Sequence, residues 1–217
     1  MIPLGYLLMR PRDLFREIQE VRARNPRRKG PFADALKRLD PLTEANRQVA
    51  KKKRQSKAEK EFVRSTPVAA IALVEGYFKG LMCDLINTGP PFLENAAQFK
   101  EVRVSLEALV GTHTREITVG ELLIHPLRLN NIEDIDRNMS IVLGQEFFKI
   151  LKGDEGLPAK YLAGLASLFE VRHVLAHELA PDYKRTASEN LESLLCVFCV
   201  LLGTEHYIQN TVLATPE

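Results

Sequence analysis

Apolar residues recur three and four positions apart through most of this 217-residue chain, the spacing that gathers side chains on one face of an α-helix. Asp13 to Arg24 and Phe32 to Leu39 show it on a short scale, with a basic turn from Pro26 to Pro31 between them. From Thr43 to Phe62 the residues favour helix but are polar on nearly every face, which predicts a helix that projects into water or lies on an anionic partner. At Thr66 and Pro67 the texture changes. That pair suits an N-cap and first turn, and the pattern predicts a core helix through Val68, Ile71, Leu73, Val74, Tyr77, Phe78, Leu81 and Leu85 that stops near Gly89.

Pro90 and Pro91 begin an irregular passage. Thr118, with Glu121 three positions on, predicts a capping box for a short helix that Pro126 ends. Ile132 to Val142 and Gln145 to Leu151 give two amphipathic segments separated near Gly144, and Gly153 to Pro158 reads as a loop. A helix from about Pro158 to Leu179 follows, stopped by Pro181. The last helix opens at Thr186 and Glu189, a second capping box, and runs from Leu191 to about Gln209. No strand-like alternation interrupts the C-terminal part, so the expected fold is all-α, an up-and-down helical bundle.

Charge divides the chain more sharply than hydropathy does. Residues 1–64 hold 18 Lys and Arg against 8 Asp and Glu, a net of +10, whereas the remainder holds 12 against 20, a net of −8. The expected organisation is a basic helical N-terminal extension, 1–64, joined to a helical domain, 65–217. Lys51, Lys52, Lys53, Arg54, Lys57 and Lys60 crowd the end of the extension. They suit contact with nucleic-acid phosphates, a clamp on the acidic part of the chain, or a solvated face.

The composition narrows the classes further. With no Trp and 7% aromatic residues, recognition of single strands by base stacking is not expected. Cys83, Cys196 and Cys199 sit in apolar runs and read as buried reduced thiols in a reducing compartment. The apolar run Met1 to Met9 has no basic residue ahead of it and is not read as a signal peptide. The apolar stretches Val68 to Ile86 and Leu191 to Leu202 are broken by charge or read as too short to cross a bilayer. The expectation is a cytoplasmic protein with no membrane partner.

One passage carries chemistry. In Leu168-Phe169-Glu170-Val171-Arg172-His173-Val174-Leu175-Ala176-His177-Glu178, polar groups interrupt an apolar helix. A guanidinium and imidazoles placed there need partners or a cleft. Arg172 and His177 have the RxxxxH spacing, and the passage resembles the signature of the HEPN superfamily, all-helical domains many of which are metal-independent ribonucleases. The helix around Leu73 to Leu81 and the segment Ile141 to Leu151 are similar to segments of the same superfamily, so the resemblance spans roughly residues 65–209.

The resemblance implies an endoribonuclease without cofactor or metal, acting in toxin, antiviral or stress systems, with RNA as partner and an inhibitory protein as a further candidate partner. Arg172 would hold a scissile phosphate. His177, with an ordinary pKa of about 6.5, would move the proton of a ribose 2′-hydroxyl or of the leaving oxygen. Five residues turn a helix through about 140°, so one helix makes an incomplete site. The resemblance supplies the rest through a homodimer formed along the helix 158–180.

Glu170 and His173 are candidate assistants, as is Glu75 if it reaches the cleft and not the wet face of its helix. The superfamily more often has Asn or another polar residue where His173 stands. One toxin branch carries a modifiable Tyr where this chain has Leu179, and the departure speaks against that mode of control. His173 and His177 also match a helical metal-binding pair with Glu170 or Glu178. A non-catalytic RNA- or nucleotide-binding dimer and a plain structural bundle complete the alternatives. His113, His125 and His206 are read as polar surface residues.

Overall fold

A computed structural model describes residues 13–24, 29–99, 106–114, 116–153, 156–177 and 184–213, with the side chains of Glu107, His177 and Thr211 outside the description. All regular structure among the described residues is helical. The elements are α1 (Leu14–Arg24), α2 (Pro31–Ala50), α3 (Lys57–Thr88), α4 (Phe92–Ala96), α5 (Leu106–His113), α6 (Val119–Ile124), α7 (Ile132–Leu143), α8 (Phe147–Gly153), α9 (Ala159–His177) and α10 (Ala187–Tyr207). The last continues into a π-helical turn, Ile208–Val212. The all-α bundle expected from the periodicity is the fold observed.

The bundle is built around α3, which packs against α2, α4, α6, α7, α9 and α10. Ile71, Val74, Phe78 and Met82 on it are all fully buried at 0% exposure. Burial of such a side chain stabilises by about 1.5–3 kcal/mol, so this helix anchors the core. Phe78 meets the edge of Phe147, from α8, at 6.1 Å between ring centres. A second, smaller cluster joins Ile18 of α1 to Ala108 of α5, Ile117, and Leu122 of α6.

Two expectations about the basic region are corrected. The helix from Phe32 and the polar segment from Thr43 are one helix, α2, with Pro41 inside it. Its second half does not project into water: Asn46 and Val49 are buried, and the helix packs on α3 and α10. The break falls instead at residues 51–56, where four consecutive cations crowd together. There Ser56 caps α3 reciprocally with Glu59, a capping box that the sequence reading did not single out.

The second correction concerns Thr66 and Pro67, which do not start a helix. Both are buried inside α3, which begins nine residues before Thr66, at Lys57. A proline within a helix leaves the carbonyl four residues back without its N–H donor. Here that carbonyl belongs to Val63, and it accepts from Asn190 Nδ2 at 2.7 Å. Asn190 also donates to Asn46 Oδ1 at 3.0 Å, and Asn46 donates to Thr66 Oγ1 at 3.1 Å. A buried amide network across α2, α3 and α10 thus satisfies the break that Pro67 creates. The division between residues 64 and 65 falls within this continuous helix.

The remaining signals are local. Capping boxes at Thr118 with Glu121 and at Thr186 with Glu189 open α6 and α10 where expected, and Gly144 closes α7 at φ 71°. Two glycines permit close approach. A Cβ on Gly164 would lie 2.4 Å from Cys196 Sγ, and one on Gly120 would lie 2.4 Å from the Cys83 carbonyl oxygen.

The stretch read as too short for a bilayer is longer than expected. Ala187–Asn210 runs 24 residues, enough in length and composition to cross a membrane, and 39% of its apolar window is buried within the bundle. In this fold it packs on α2, α3, α8 and α9.

Candidate functional site

On α9 the apolar positions Leu162, Leu165, Leu168 and Phe169 are buried, and Arg172 continues that inward side one turn further on. The guanidinium therefore arrives half-buried at the surface of α3. Its Nη2 lies 3.5 Å from Glu75 Oε1, with 24% and 27% of the two side chains exposed. Glu75 holds this position because its α3 neighbours Leu73, Val74, Tyr77 and Phe78 fix the helix in the core.

Burial raises the Glu75 carboxyl above its ordinary range; the charges of Arg172 and then Lys79 pull in the opposite direction. The desolvation cost of ionising this carboxylate thus outweighs the attraction of its two cations. The pair places a permanent cation beside a carboxyl group of weakened acidity at the junction of α3 and α9.

Of the expected site residues, the structure brings Arg172 and Glu75 together. Glu170 and His173 are both exposed; Glu170 stands about 160° around α9 from Arg172, so it is not part of the pair. His177 is the last residue of α9, and its side chain lies outside the described residues. Leu179 and Glu178 also lie outside them. The cluster Lys51, Lys52, Lys53, Arg54, Lys57 and Lys60 is exposed in the α2–α3 loop and the first turn of α3. Lys60 is 15 residues, or about 22 Å of helix, from Glu75, and the structure does not bring the cluster to the pair.

Among the described residues no three His, Cys, Asp or Glu side chains are grouped so as to hold a metal ion. The suggested ligands His177 and Glu178 fall outside that description. No disulfide joins the cysteines; Cys83 is buried and Cys196 and Cys199 are half-buried. Burial, then Cys199 and Glu192, push the Cys196 thiol upward.

The sequence reading missed a cleft next to this pair. Glu75, Lys79 and Cys83 follow one another at four-residue intervals along α3, and the row leads into a cavity of about 650 Å³ between α1, α3 and α6. Asp84, Asn87, Glu121 and His125 contribute its polar lining, and Ile18, Val21 and Ile124 its apolar lining. Its size lies in the range of small-ligand sites.

α1 closes one side of the cleft. Arg22 donates to Glu121 Oε1 at 2.8 Å and to the Glu116 carbonyl. Gln19 donates to Glu116 Oε2 at 3.0 Å. His125, expected at the surface, is instead half-buried, with Nε2 3.1 Å from Glu17 Oε2, while Lys79 donates to its backbone oxygen at 3.2 Å. The signal available in the sequence was Gly120. Without a side chain there, α6 lies against α3 closely enough for Asn87 Oδ1 to accept from the Gly120 N–H at 2.9 Å.

No protein-family model matches the chain, no curated protein matches it, and no solved structure matches it.

Proposed function

We propose that the chain is a HEPN-type endoribonuclease that cleaves RNA without metal at a site shared by two protomers, in a cytoplasmic defence or stress setting. The observation that supports this most is the half-buried Arg172 held 3.5 Å from Glu75 near the end of the α9 helix. An arginine anchored in this way is oriented before substrate arrives. A phosphodiester can then exchange into its hydrogen bonds without ordering a long side chain.

In the proposed reaction, Arg172 bears the charge that develops on the phosphoryl oxygens. His177 removes the 2′-hydroxyl proton or protonates the 5′-oxygen that leaves. The 2′-oxygen forms its bond to phosphorus as the bond to the 5′-oxygen breaks, leaving a 2′,3′-cyclic phosphate and a 5′-hydroxyl. Two copies of α9 meeting about a two-fold axis would contribute two of each residue.

The test is end-group analysis of RNA incubated with the full chain in the presence of a chelator. Cyclic phosphate ends that persist with chelator support the proposal, and their absence rejects it.

A second reading has its own support in the same ion pair. A guanidinium already engaged by a carboxylate suits a non-catalytic RNA- or nucleotide-binding dimer, in which Arg172 serves recognition alone. Unchanged RNA with retained binding identifies that reading.

A further inference from the structure

The cleft between α1, α3 and α6 has no role in the reaction proposed above, and its lining divides into an apolar part and a polar part. Ile18 and Val21, three positions apart on α1, supply the apolar part together with Ile124 of α6. Ile18 and Ile124 are 3% and 2% exposed, so hydrocarbon placed against them would extend the core. Removing such a surface from water favours a ligand with an apolar body.

On the polar side the acceptors are already occupied. Glu121 accepts from Arg22 through Oε1 at 2.8 Å, and through Oε2 from the Thr118 N–H at 2.7 Å and hydroxyl at 3.1 Å. Asn87 Oδ1 takes the Gly120 N–H, while Thr118 Oγ1 accepts from the Glu121 N–H and from Asn87 Nδ2, both at 3.1 Å. Asp84, the other acid of the lining, is exposed on α3. The donors have capacity beyond these bonds. A guanidinium carries five N–H groups, and Arg22 meets Glu121 through Nε and the Glu116 carbonyl through Nη1, so Nη2 enters neither bond. Lys79 adds a half-buried ammonium, anchored by its bond to the His125 carbonyl at 3.2 Å. Two cations thus hold fixed positions where the half-buried carboxylate, Glu121, is already matched. Such a lining selects an acceptor-rich, negatively charged head group.

We propose that the cleft binds a small monocarboxylate with an apolar body, its carboxylate accepting from Lys79 and Arg22 and its hydrocarbon lying on Ile18, Val21 and Ile124. The cavity of about 650 Å³ accommodates a small molecule and is too small for a folded partner. Ile18 is the buried residue of α1, and an isolated helix of 11 residues is marginal in water. A ligand held by Arg22 of α1 and Lys79 of α3 therefore gives α1 a further attachment to the core. The inference does not depend on the nuclease reading.

The test is titration calorimetry of the full chain with sodium octanoate, octylammonium chloride and 1-octanol, which share one hydrocarbon body and differ in head group. Octanoate should bind one-to-one and at least about tenfold more tightly than either of the others, the scale of a charge-assisted hydrogen bond. Equal affinity for the three overturns the proposal, because apolar contact alone then explains binding. Octanoate that does not saturate the chain, or octylammonium that binds more tightly, overturns it as well.

Two variants locate the site. Lys79→Met keeps the aliphatic stem and removes the charge, and Val21→Trp, at a position 46% exposed, fills the apolar side without entering the core. Each, once shown by circular dichroism to be folded, should weaken octanoate at least about tenfold. Unchanged affinity in either folded variant places the ligand elsewhere and overturns the assignment. Saturating octanoate should also slow amide exchange in α1 of the wild-type chain; exchange unchanged there contradicts a ligand seated against that helix.

Discussion

Arg172 of α9 and Glu75 of α3 meet at 3.5 Å, the ion pair that joins the candidate signature helix to the central helix of the core. Burial raises the Glu75 pKa, against the pull of Arg172 and Lys79. A carboxyl whose folded value exceeds its unfolded one stabilises the fold fully below the unfolded value. That stability is lost as pH rises towards the folded value. Glu75→Gln should therefore gain stability relative to wild type as the pH is raised from about 4 to 7. Urea denaturation of both proteins at the two pH values measures the stability of the variant minus that of wild type; a difference that falls as pH rises contradicts the assignment.

The opposite sign holds at Glu59. Hydrogen bonds from the Lys52 side chain, then from the backbone and hydroxyl of Ser56, lower its carboxyl from 4.5 to about 2. The stabilisation is present above the ordinary value and lost as pH falls through about 2. A carboxyl-carbon NMR titration should give Glu59 a midpoint near 2, displaced upward in Lys52→Ala. A wild-type midpoint at the ordinary value would refute the interaction.

Asn190 bridges the carbonyl that Pro67 strands and the side chain of Asn46, from a position that is 1% exposed. Asn190→Ala leaves those groups buried without a donor and should cost about 1–3 kcal/mol. Placing Ala at position 67 in the same background restores an N–H donor for the Val63 carbonyl, so Pro67→Ala should recover part of the loss. Calorimetry of the single and double variants reads both effects, and additivity would show that the two sites do not communicate.

Gly120→Ala sets a methyl group against the backbone oxygen of Cys83, 2.4 Å away. Backbone yields less readily than a flexible side chain, so α6 must shift and the variant should lose about 1–3 kcal/mol. The same shift would break the Asn87 bond to the Gly120 N–H, which amide exchange at Gly120 reports. Protection equal to wild type would show that α6 does not rest on α3 as described.

What could be read from the sequence was what depends on near neighbours. The boxes at Thr118 and Thr186 are complete within four residues and were read correctly, as was the separation of two helices near Gly144. Pro67 misled because its tolerance inside α3 depends on Asn190, 127 residues from the carbonyl it bonds. The polar face of α2 misled for a related reason: Asn46 looks solvent-seeking until Asn190 and Thr66 satisfy it in the core. At the site, the chemical capacity of Arg172 could be read from its type and setting. Which of the two suggested surroundings Glu75 occupies could not, because the packing of α3 on α9 decides it. Of the cleft, Gly120 was the one signal in the sequence; its shape was not legible, since it is formed by three helices far apart in sequence.

The proposed chemistry stands on Arg172 and His177 acting on the same phosphodiester. The most direct measurement is the rate at which a labelled single-stranded RNA is cut by wild type, Arg172→Ala and His177→Ala, each first shown by circular dichroism to be folded. The account predicts cleavage by wild type and a loss of at least about a hundredfold in each variant, the scale of a general acid–base or charge-stabilising group. Cleavage that continues unchanged in either folded variant, or no cleavage by wild type, contradicts it.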